Sequence, residues 1–229
     1  ESTYGSLQTA LDYFNDPERE DINILIQPAL PSETELLGWT TLANYCTAIA
    51  ESRHDAIACI SPPVTGDNGS VNADNVNGIV EWGKTLSSTS FGAADSSAIK
   101  VYDRYNDVNR WIPSAGSIAG LMSRTDTTND PWWSPAGLNR GQLRNVYQLA
   151  YNPDKSDRDD LYKNRINPIV QFPNEGTVLF GDRTLLSRPS AFDRINVRRL
   201  FNVLEKAIAT AAKYMLFEFN DEFTRARFV

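Results

Sequence analysis

Two short apolar runs separated by an amphipathic stretch constrain this chain more than any other feature. Asn23-Ile24-Leu25-Ile26-Gln27-Pro28 is an apolar run that stops at a proline, the pattern of a buried strand. Thr40 to Ser52 carries Leu42, Tyr45, Cys46, Ile49 and Ala50 at three-and-four spacing, which predicts a helix with one apolar face. Ala56-Ile57-Ala58-Cys59-Ile60 is a second buried strand, stopped by Pro62-Pro63. Strand, helix and strand within about forty residues form a crossover unit, which returns the chain to a parallel neighbour. The expected fold class is therefore α/β.

The rest of the chain extends this pattern. A short helix is expected around Leu7 to Phe14, ended by Asp16-Pro17, and another from about Asp74 to Leu86 on the spacing of Val76, Ile79, Val80 and Gly83. Ser87 to Ser97 is small and polar and reads as a loop. Ala98 to Tyr105 reads as a third strand, Arg110 to Pro113 as extended and Gly116 to Arg124 as a short helix. Thr125 to Gly141 reads as a loop around Trp132-Trp133, and Arg144 to Tyr151 as a short ordered piece. Asp154 to Lys163 reads as a charged helical turn anchored by Leu161 and Tyr162. A second region begins at Asn167-Pro168. Ile169 to Phe172 and Thr177 to Phe180 flank Pro173-Asn174-Glu175-Gly176, the signal of a hairpin. From Ser190 to Asn220 runs the strongest periodicity, with Val197, Leu200, Phe201, Leu204, Ile208, Ala211, Ala212, Met215 and Phe219 on one stripe. It predicts a helix of about 26 residues, roughly 39 Å long, with Ser190 as N-cap. The architecture expected is a mixed sheet with flanking helices over 1–166, then over 167–229 part of a second α+β region with a hairpin and one long helix.

Charge narrows the function classes. The 229 residues carry a formal net charge of −7. Affinity for nucleic acid rests on neutralising phosphates with Lys and Arg, so no nucleic-acid partner is expected. From Pro189 onward there are seven basic and five acidic residues, net +2, which leaves −9 for the first 188. No apolar run approaches the ~20 residues that span a bilayer, and no membrane insertion is expected. One His cannot build a multi-imidazole metal site, two Cys cannot build a disulfide framework, and a reduced compartment with no cofactor is the expectation. The chain opens on Glu1 and closes on Phe228-Val229 in mid-pattern, so an internal stretch of a longer protein is expected.

Each candidate chemical motif has a plain structural reading beside it. Gly78-Ile79-Val80-Glu81-Trp82-Gly83-Lys84-Thr85 satisfies G-x-x-x-x-G-K-[ST], a loop whose backbone amides cradle phosphates. No apolar strand precedes it, however, and Ile79, Val80 and Trp82 look like helix core. His54-Asp55 lacks a serine elbow, and a helix C-terminus suits His on charge grounds. Cys46 and Cys59 fall inside a helix stripe and a strand, where buried structural thiols are expected. Asp67 to Gly78 is rich in Asp, Asn and Gly but lacks the register of a calcium loop. Asp157, Asp159 and Asp160 alternate with Lys155, Arg158 and Lys163 like a solvated helix face. Trp132-Trp133 is expected to pin its loop to the core, with a carbohydrate or peptide platform as the other reading. On the last helix Arg194, Arg198, Arg199, Lys206 and Lys213 are the candidate partner-interface residues, as a basic stripe in the only net-positive segment. No catalytic or metal-binding residue is singled out.

Several segments carry a resemblance. Tyr105-Asn106-Asp107-Val108-Asn109-Arg110-Trp111-Ile112-Pro113, Thr128-Asn129-Asp130-Pro131-Trp132-Trp133-Ser134-Pro135-Ala136-Gly137 and Tyr151-Asn152-Pro153-Asp154-Lys155 are similar to the tail sheath protein of contractile-tailed bacteriophages. Gly176-Thr177-Val178-Leu179-Phe180-Gly181-Asp182 and Phe192-Asp193-Arg194-Ile195-Asn196-Val197-Arg198-Arg199-Leu200 match it in order and spacing as well. The resemblance implies a non-enzymatic virion protein, assembled in the host cytoplasm. It would polymerise around the tail tube and contract to drive the tube through the host envelope. The implied partners are other sheath subunits, the tail tube protein, and the baseplate and tail terminator proteins. It also implies that residues 1–166 belong to an outer α/β layer and 167–229 to the start of an inner, tube-facing domain. The arms that link neighbours in the family are missing or incomplete here, so the isolated chain is expected to be monomeric. The alternatives are a P-loop nucleotide-binding protein and a carbohydrate- or receptor-binding module.

Overall fold

A computed structural model describes residues 4–30, 36–64 and 75–228. The expected crossover is present. β1 (Ile24–Ile26) pairs in parallel with β2 (Ile57–Ile60), Ile24 opposite Ile57, and α2 (Leu36–Arg53) connects them after α1 (Tyr4–Asp12). The sheet continues in parallel through β3 (Gly92–Asp95) and β7 (Ile166–Asn167), in the order β1-β2-β3-β7. Alternate residues of β2 serve two cores. Ala58 and Ile60 pack with Leu11, Leu42, Cys46 and Ala50 of α1 and α2, and with Trp82 of α3 (Val76–Lys84). Ile57 and Cys59 pack on the other face against Ile118, Leu121 and Met122 of α4 (Ala115–Thr128). A parallel sheet buried on both faces needs apolar residues at consecutive positions, and all four residues of β2 are buried.

The third parallel strand is not the expected one. Ala98 to Tyr105 does form β4 (Ala98–Asp103), but β4 sits in a separate antiparallel sheet, between β5 (Val108–Pro113) and β6 (Gln148–Leu149). The third parallel strand is Gly92-Ala93-Ala94-Asp95, inside the stretch read as a loop. Its side chains are small because its surroundings are tight. A Cβ on Gly92 would lie 2.7 Å from Thr47 Cγ2 and 2.8 Å from Leu185 Cδ1. The hairpin β8 (Ile169–Phe172) to β9 (Gly176–Leu179) forms as expected, with Asn174 and Gly176 at positive φ in its turn. The charged turn is α5 (Lys155–Lys163), capped by the Asp154 carboxylate, which accepts from the Asp157 N–H at 2.9 Å. The α/β class therefore stands, with a parallel and an antiparallel sheet where one mixed sheet was expected.

The phosphate-loop match lies in a helix. Gly78 to Lys84 falls within α3, so its amides are spent on helix bonds, and Asn75 caps the Gly78 N–H at 2.9 Å. Gly83 is small because Ile166 of β7 presses on it, with a Cβ there only 2.6 Å from Ile166 Cδ1. Lys84 pairs on the surface with Glu81 at 2.7 Å. The calcium-like stretch lies largely in 65–74, outside the described residues.

Beyond the carboxyl ends of the parallel strands, where this architecture commonly holds ligands, the described residues form a buried polar joint. Ser61 follows β2, Asp95 ends β3 and Ser114 precedes α4; all three are buried. Ser61 Oγ donates to Asp95 at 2.5 Å and accepts the Ala115 N–H at 2.7 Å, while Ser114 Oγ donates to the Ser97 carbonyl at 2.8 Å. Burial pushes the Asp95 carboxyl up to about 7, against the pull of the Ser61, Ser114 and Ser97 hydrogen bonds. A carboxyl raised from 3.8 holds its proton more tightly folded than unfolded. Its contribution to stability is therefore fully present below about pH 4 and is lost as pH rises to about 7. Asp182, pushed by burial to about 6, acts in the same direction. The Asp95 contribution to the calorimetric melting temperature should be lost between about pH 4 and pH 7, and Asp95→Asn should remove it; an unchanged pH profile in the variant would count against the buried carboxyl.

Candidate assembly surface

The last long helix is shorter than the sequence suggests and turned over. Ser190 caps a single 3-10 turn at Ala191–Asp193, accepting the Phe192 N–H at 3.3 Å. The helix proper, α6 (Ile195–Ala212), has 18 residues and ends in another 3-10 turn at Lys213–Met215. Its start is stitched to the segment after β9. The Ile195 N–H donates to the Asp182 carbonyl at 3.1 Å, the Thr184 N–H to the Asp193 carbonyl at 3.0 Å, and Arg183 pairs with Asp193 at 3.3 Å.

Apart from Ile195, which enters the core beside α4, the side of α6 that packs on the protein is polar. Arg198 is 5% exposed and Arg199 4%. The Arg198 guanidinium lies between two rings, 4.3 Å from the Phe91 centroid and 4.7 Å from that of Phe192. It also donates to Asn202 and to Glu205 one and two turns on, both at 3.0 Å. Burial lowers its pKa and the Glu205 carboxylate opposes that shift. Arg199 Nη2 donates to both carboxylate oxygens of Asp126 on α4, at 2.7 and 2.5 Å. Lys206, half-buried, bonds the Asp21 carboxylate and donates to Asn23 at 3.0 Å. Of the five candidate interface residues, Arg198, Arg199 and Lys206 are thus engaged within the chain. Arg194 and Lys213 are exposed; Arg194 reaches the Tyr162 hydroxyl, and Lys213 lies 3.8 Å from Glu18.

Much of the predicted apolar stripe faces outward, although Val197, Leu200, Ala212 and Met215 are half-buried. Phe201, Leu204 and Ile208 are exposed on α6, and Tyr214, Leu216, Phe217, Phe219 and Phe223 follow them, the last on α7 (Glu222–Phe228). A contiguous run of exposed aromatic and aliphatic side chains marks an interaction surface. The sequence held one sign of this orientation: Arg198, Asn202 and Glu205 recur at i, i+4 and i+7, a polar ladder on one face.

The other sequence candidates fall elsewhere. His54 closes α2 at φ 62° and stacks edge-on against Phe91 at 5.2 Å. Cys46 and Cys59 are buried as expected, both thiols pushed up to about 12 by burial, and Cys59 touches the Met122 sulfur at 3.9 Å. They are not poised as nucleophiles. Trp132 and Trp133 are 42% and 44% exposed and so do not pin their loop. Arg124 of α4 holds it at one end, donating to the carbonyls of Arg140 at 2.9 Å and Gln142 at 2.7 Å, and the Gly137 N–H ties it to the Leu179 carbonyl of β9 at 2.9 Å. Asp157 accepts from the Tyr151 hydroxyl, and Asp160 pairs with Lys163 at 3.4 Å on the surface of α5.

Residues 2–185 match the model of the phage tail sheath protein central domain. The chain belongs to the phage tail sheath family. It is 41% identical to the tail sheath protein of Enterobacteria phage T4, an alignment that covers 100% of this chain and 36% of that protein. It is 43% identical to the tail sheath protein of Vibrio phage KVP40, over 95% of this chain and 34% of the relative. This sheath-family chain therefore spans about a third of the length of the curated relatives it matches. Among solved structures it superposes with a TM-score of 0.74 on a chain of the anti-feeding prophage baseplate, at 24% identity over 98% of this chain and 54% of the other. The sheath complex of the PVC extracellular contractile injection system, in its contracted state, gives 0.72 at 23% identity over 98% and 55%. At that identity the two share the fold.

The orientation of α6 is open to test by mutation. Arg199→Ala strands the Asp126 carboxylate and should cost about 2–3 kcal/mol, read as a drop of about 5–10 °C in melting temperature. Leu204→Gln and Ile208→Gln should stay within about 0.5 kcal/mol, because those positions are already in water. The reverse ranking would mean that the apolar stripe is the buried side.

Proposed function

We propose that this chain is the central part of a contractile tail sheath subunit, a structural protein that works by packing against copies of itself around a tail tube. The observation that carries the reading is the conjunction of sheath-family sequence over residues 2–185 with an apolar surface on the helix that follows. Contraction needs two packings of one rigid subunit with different interface energies. A doubly covered parallel sheet with a closed polar joint at its strand ends is suited to moving as one body. We read residues 1–166 as the outer layer and 167–229 as the start of the tube-facing part, in keeping with the charge change at Pro189. Arg194 and Lys213 are the two of the five basic residues with donors exposed for a tube or sheath partner, and the further partners would be baseplate and terminator proteins of the same virion. The chain would reside in the virion tail after assembly in the host cytoplasm.

Electron microscopy of the full sheath polypeptide carrying this sequence tests the reading. The expected outcome is hollow striated tubes. Dispersed subunits at every concentration, or micromolar ATP–magnesium binding that Lys84→Ala abolishes, would overturn it.

A further inference from the structure

Two serine hydroxyls and one carboxyl meet where β2, β3 and α4 come together, and none of them reaches water. Asp95 is 1% exposed, and Ser61, Ser97 and Ser114 are buried with it. Asp95 Oδ1 accepts the Ser97 N–H at 3.2 Å, and Oδ2 lies against the Ser61 hydroxyl. Ser61 Oγ also accepts the Ala115 N–H at 2.7 Å. Ser114 Oγ lies 3.4 Å from Ser61 Oγ and donates to the Ser97 carbonyl at 2.8 Å. The Ser97 hydroxyl is engaged elsewhere, donating to the Ala98 carbonyl at 2.9 Å and accepting the Tyr151 N–H at 3.3 Å.

A carboxylate this deep needs a cation or a full set of donors. Among the described residues no ion pair reaches Asp95. Cys59 of β2 is the titratable group that acts on it, and burial pushes that thiol up to about 12, so it stays neutral. Arg199 of α6 acts on Cys59 and is spent on Asp126. β7 presents the neutral amide of Asn167 opposite Asp95. α4 carries no charged side chain before Arg124, and β4 none before Lys100. Hydroxyl hydrogens rotate, so one set of heavy-atom positions holds two bonding patterns. With Asp95 protonated, every donor is matched. Asp95 donates to Ser61 Oγ, the Ser61 hydroxyl turns to Ser114 Oγ, Ser114 donates to the Ser97 carbonyl, and the Ser97 N–H returns to Asp95. With Asp95 ionised, the carboxylate draws the Ser61 and Ser114 hydroxyls, and the Ser97 carbonyl is left without the Ser114 bond. Burial favours the protonated pattern up to about pH 7.

We propose that this joint is a proton-operated switch between the two sheets: a closed ring of hydrogen bonds through Asp95, Ser61, Ser114 and Ser97 when the carboxyl is protonated, and a ring opened at the Ser97 carbonyl when it is ionised. Ser114 precedes α4 and Ser97 lies in the turn that leads from β3 to β4. The closed ring therefore ties α4 to the entry of the antiparallel sheet, and loss of the proton releases that tie. The ring is cooperative, since each hydroxyl that donates becomes a better acceptor. Its longest link, Ser61 to Ser114 at 3.4 Å, is the one that exists only in the closed pattern.

Nuclear magnetic resonance of the 229-residue chain, with 13C in its aspartate carboxyls and backbone carbonyls, tests the switch. The Asp95 carboxyl carbon should pass from the acid to the carboxylate position between about pH 6 and pH 8, against a usual aspartate midpoint of about 3.9. The Ser97 carbonyl carbon should move with the same midpoint as its hydrogen bond is lost. Ser114→Ala should leave the Asp95 titration in place and remove most of the Ser97 response, because the hydroxyl that carries the message is gone. Asp95→Asn, whose side-chain amide is a permanent donor to Ser61, should hold the Ser97 carbonyl still from pH 5 to pH 8. An Asp95 carbon that is already a carboxylate at pH 5 overturns the proposal in the unaltered chain alone. So does a Ser97 carbonyl that does not titrate with Asp95. A Ser97 response that Ser114→Ala keeps in full would also overturn it, since that response would be the field of the charge and not a change of partner.

Discussion

Two guanidinium groups on neighbouring residues of one helix cannot leave water unless each finds a partner in place. That constraint sets the rotation of α6, and much else follows from it. Arg198 needs the Phe91 and Phe192 rings on its two sides and Asn202 and Glu205 along its own helix. Arg199 needs Asp126 on α4. Phe91 immediately precedes β3, so the helix is tied at once to the parallel sheet and to the layer on its other face. With both arginines turned inward, a spacing of 3.6 residues per turn leaves Phe201, Leu204 and Ile208 no place but outside.

The parallel sheet was legible in the sequence where its strands are apolar. β1 and β2 lie within the stretches expected, and α2 extends the expected helix at both ends, by four residues and by one. β3 was not legible, because Gly92-Ala93-Ala94-Asp95 has no branched or aromatic side chain to mark it. Its identity comes from neighbours distant in sequence: Thr47 and Leu185 leave room only for a hydrogen at Gly92. Close approach of this kind leaves no local pattern, only a glycine that could equally mark a turn. The strand was lost to the same physics that makes it fit.

The face of α6 failed for a different reason. Amphipathic reading assigns the apolar stripe to the core because burial of apolar area is the usual driving force. Here the helix meets its own chain through charge-assisted bonds and cation–π stacking, and the stripe is left for something else. The periodicity marks the helix but not which side it buries: Arg198, Arg199 and Asn202 are buried while Phe201, Leu204 and Ile208 are exposed. The tryptophans show the converse error. Trp132 and Trp133 were assigned to packing on size alone, while the loop that carries them is held by Arg124 bonding two backbone carbonyls. In both places arginine does the packing expected of aromatic or aliphatic side chains, and its long apolar stem makes that possible.

The joint at Ser61, Asp95 and Ser114 ties together the strand ends of the parallel sheet and the start of α4. Beyond the strand ends of a parallel sheet, helix N-termini and loop hydroxyls converge, and a ligand there would be met by free donors. In this chain those donors are spent on each other. The N-terminal amide of α4 is taken by Ser61, the Ser61 hydroxyl by Asp95, and the Ser114 hydroxyl by the Ser97 carbonyl. The first ties the end of β2 to α4, the second joins the ends of β2 and β3, and the third ties the residue before α4 to the turn that leads into the antiparallel sheet. Among the described residues these bonds form a brace between layers. A network of short buried hydrogen bonds of this kind couples the layers closely, because a packed interior transmits displacement from one element to the next.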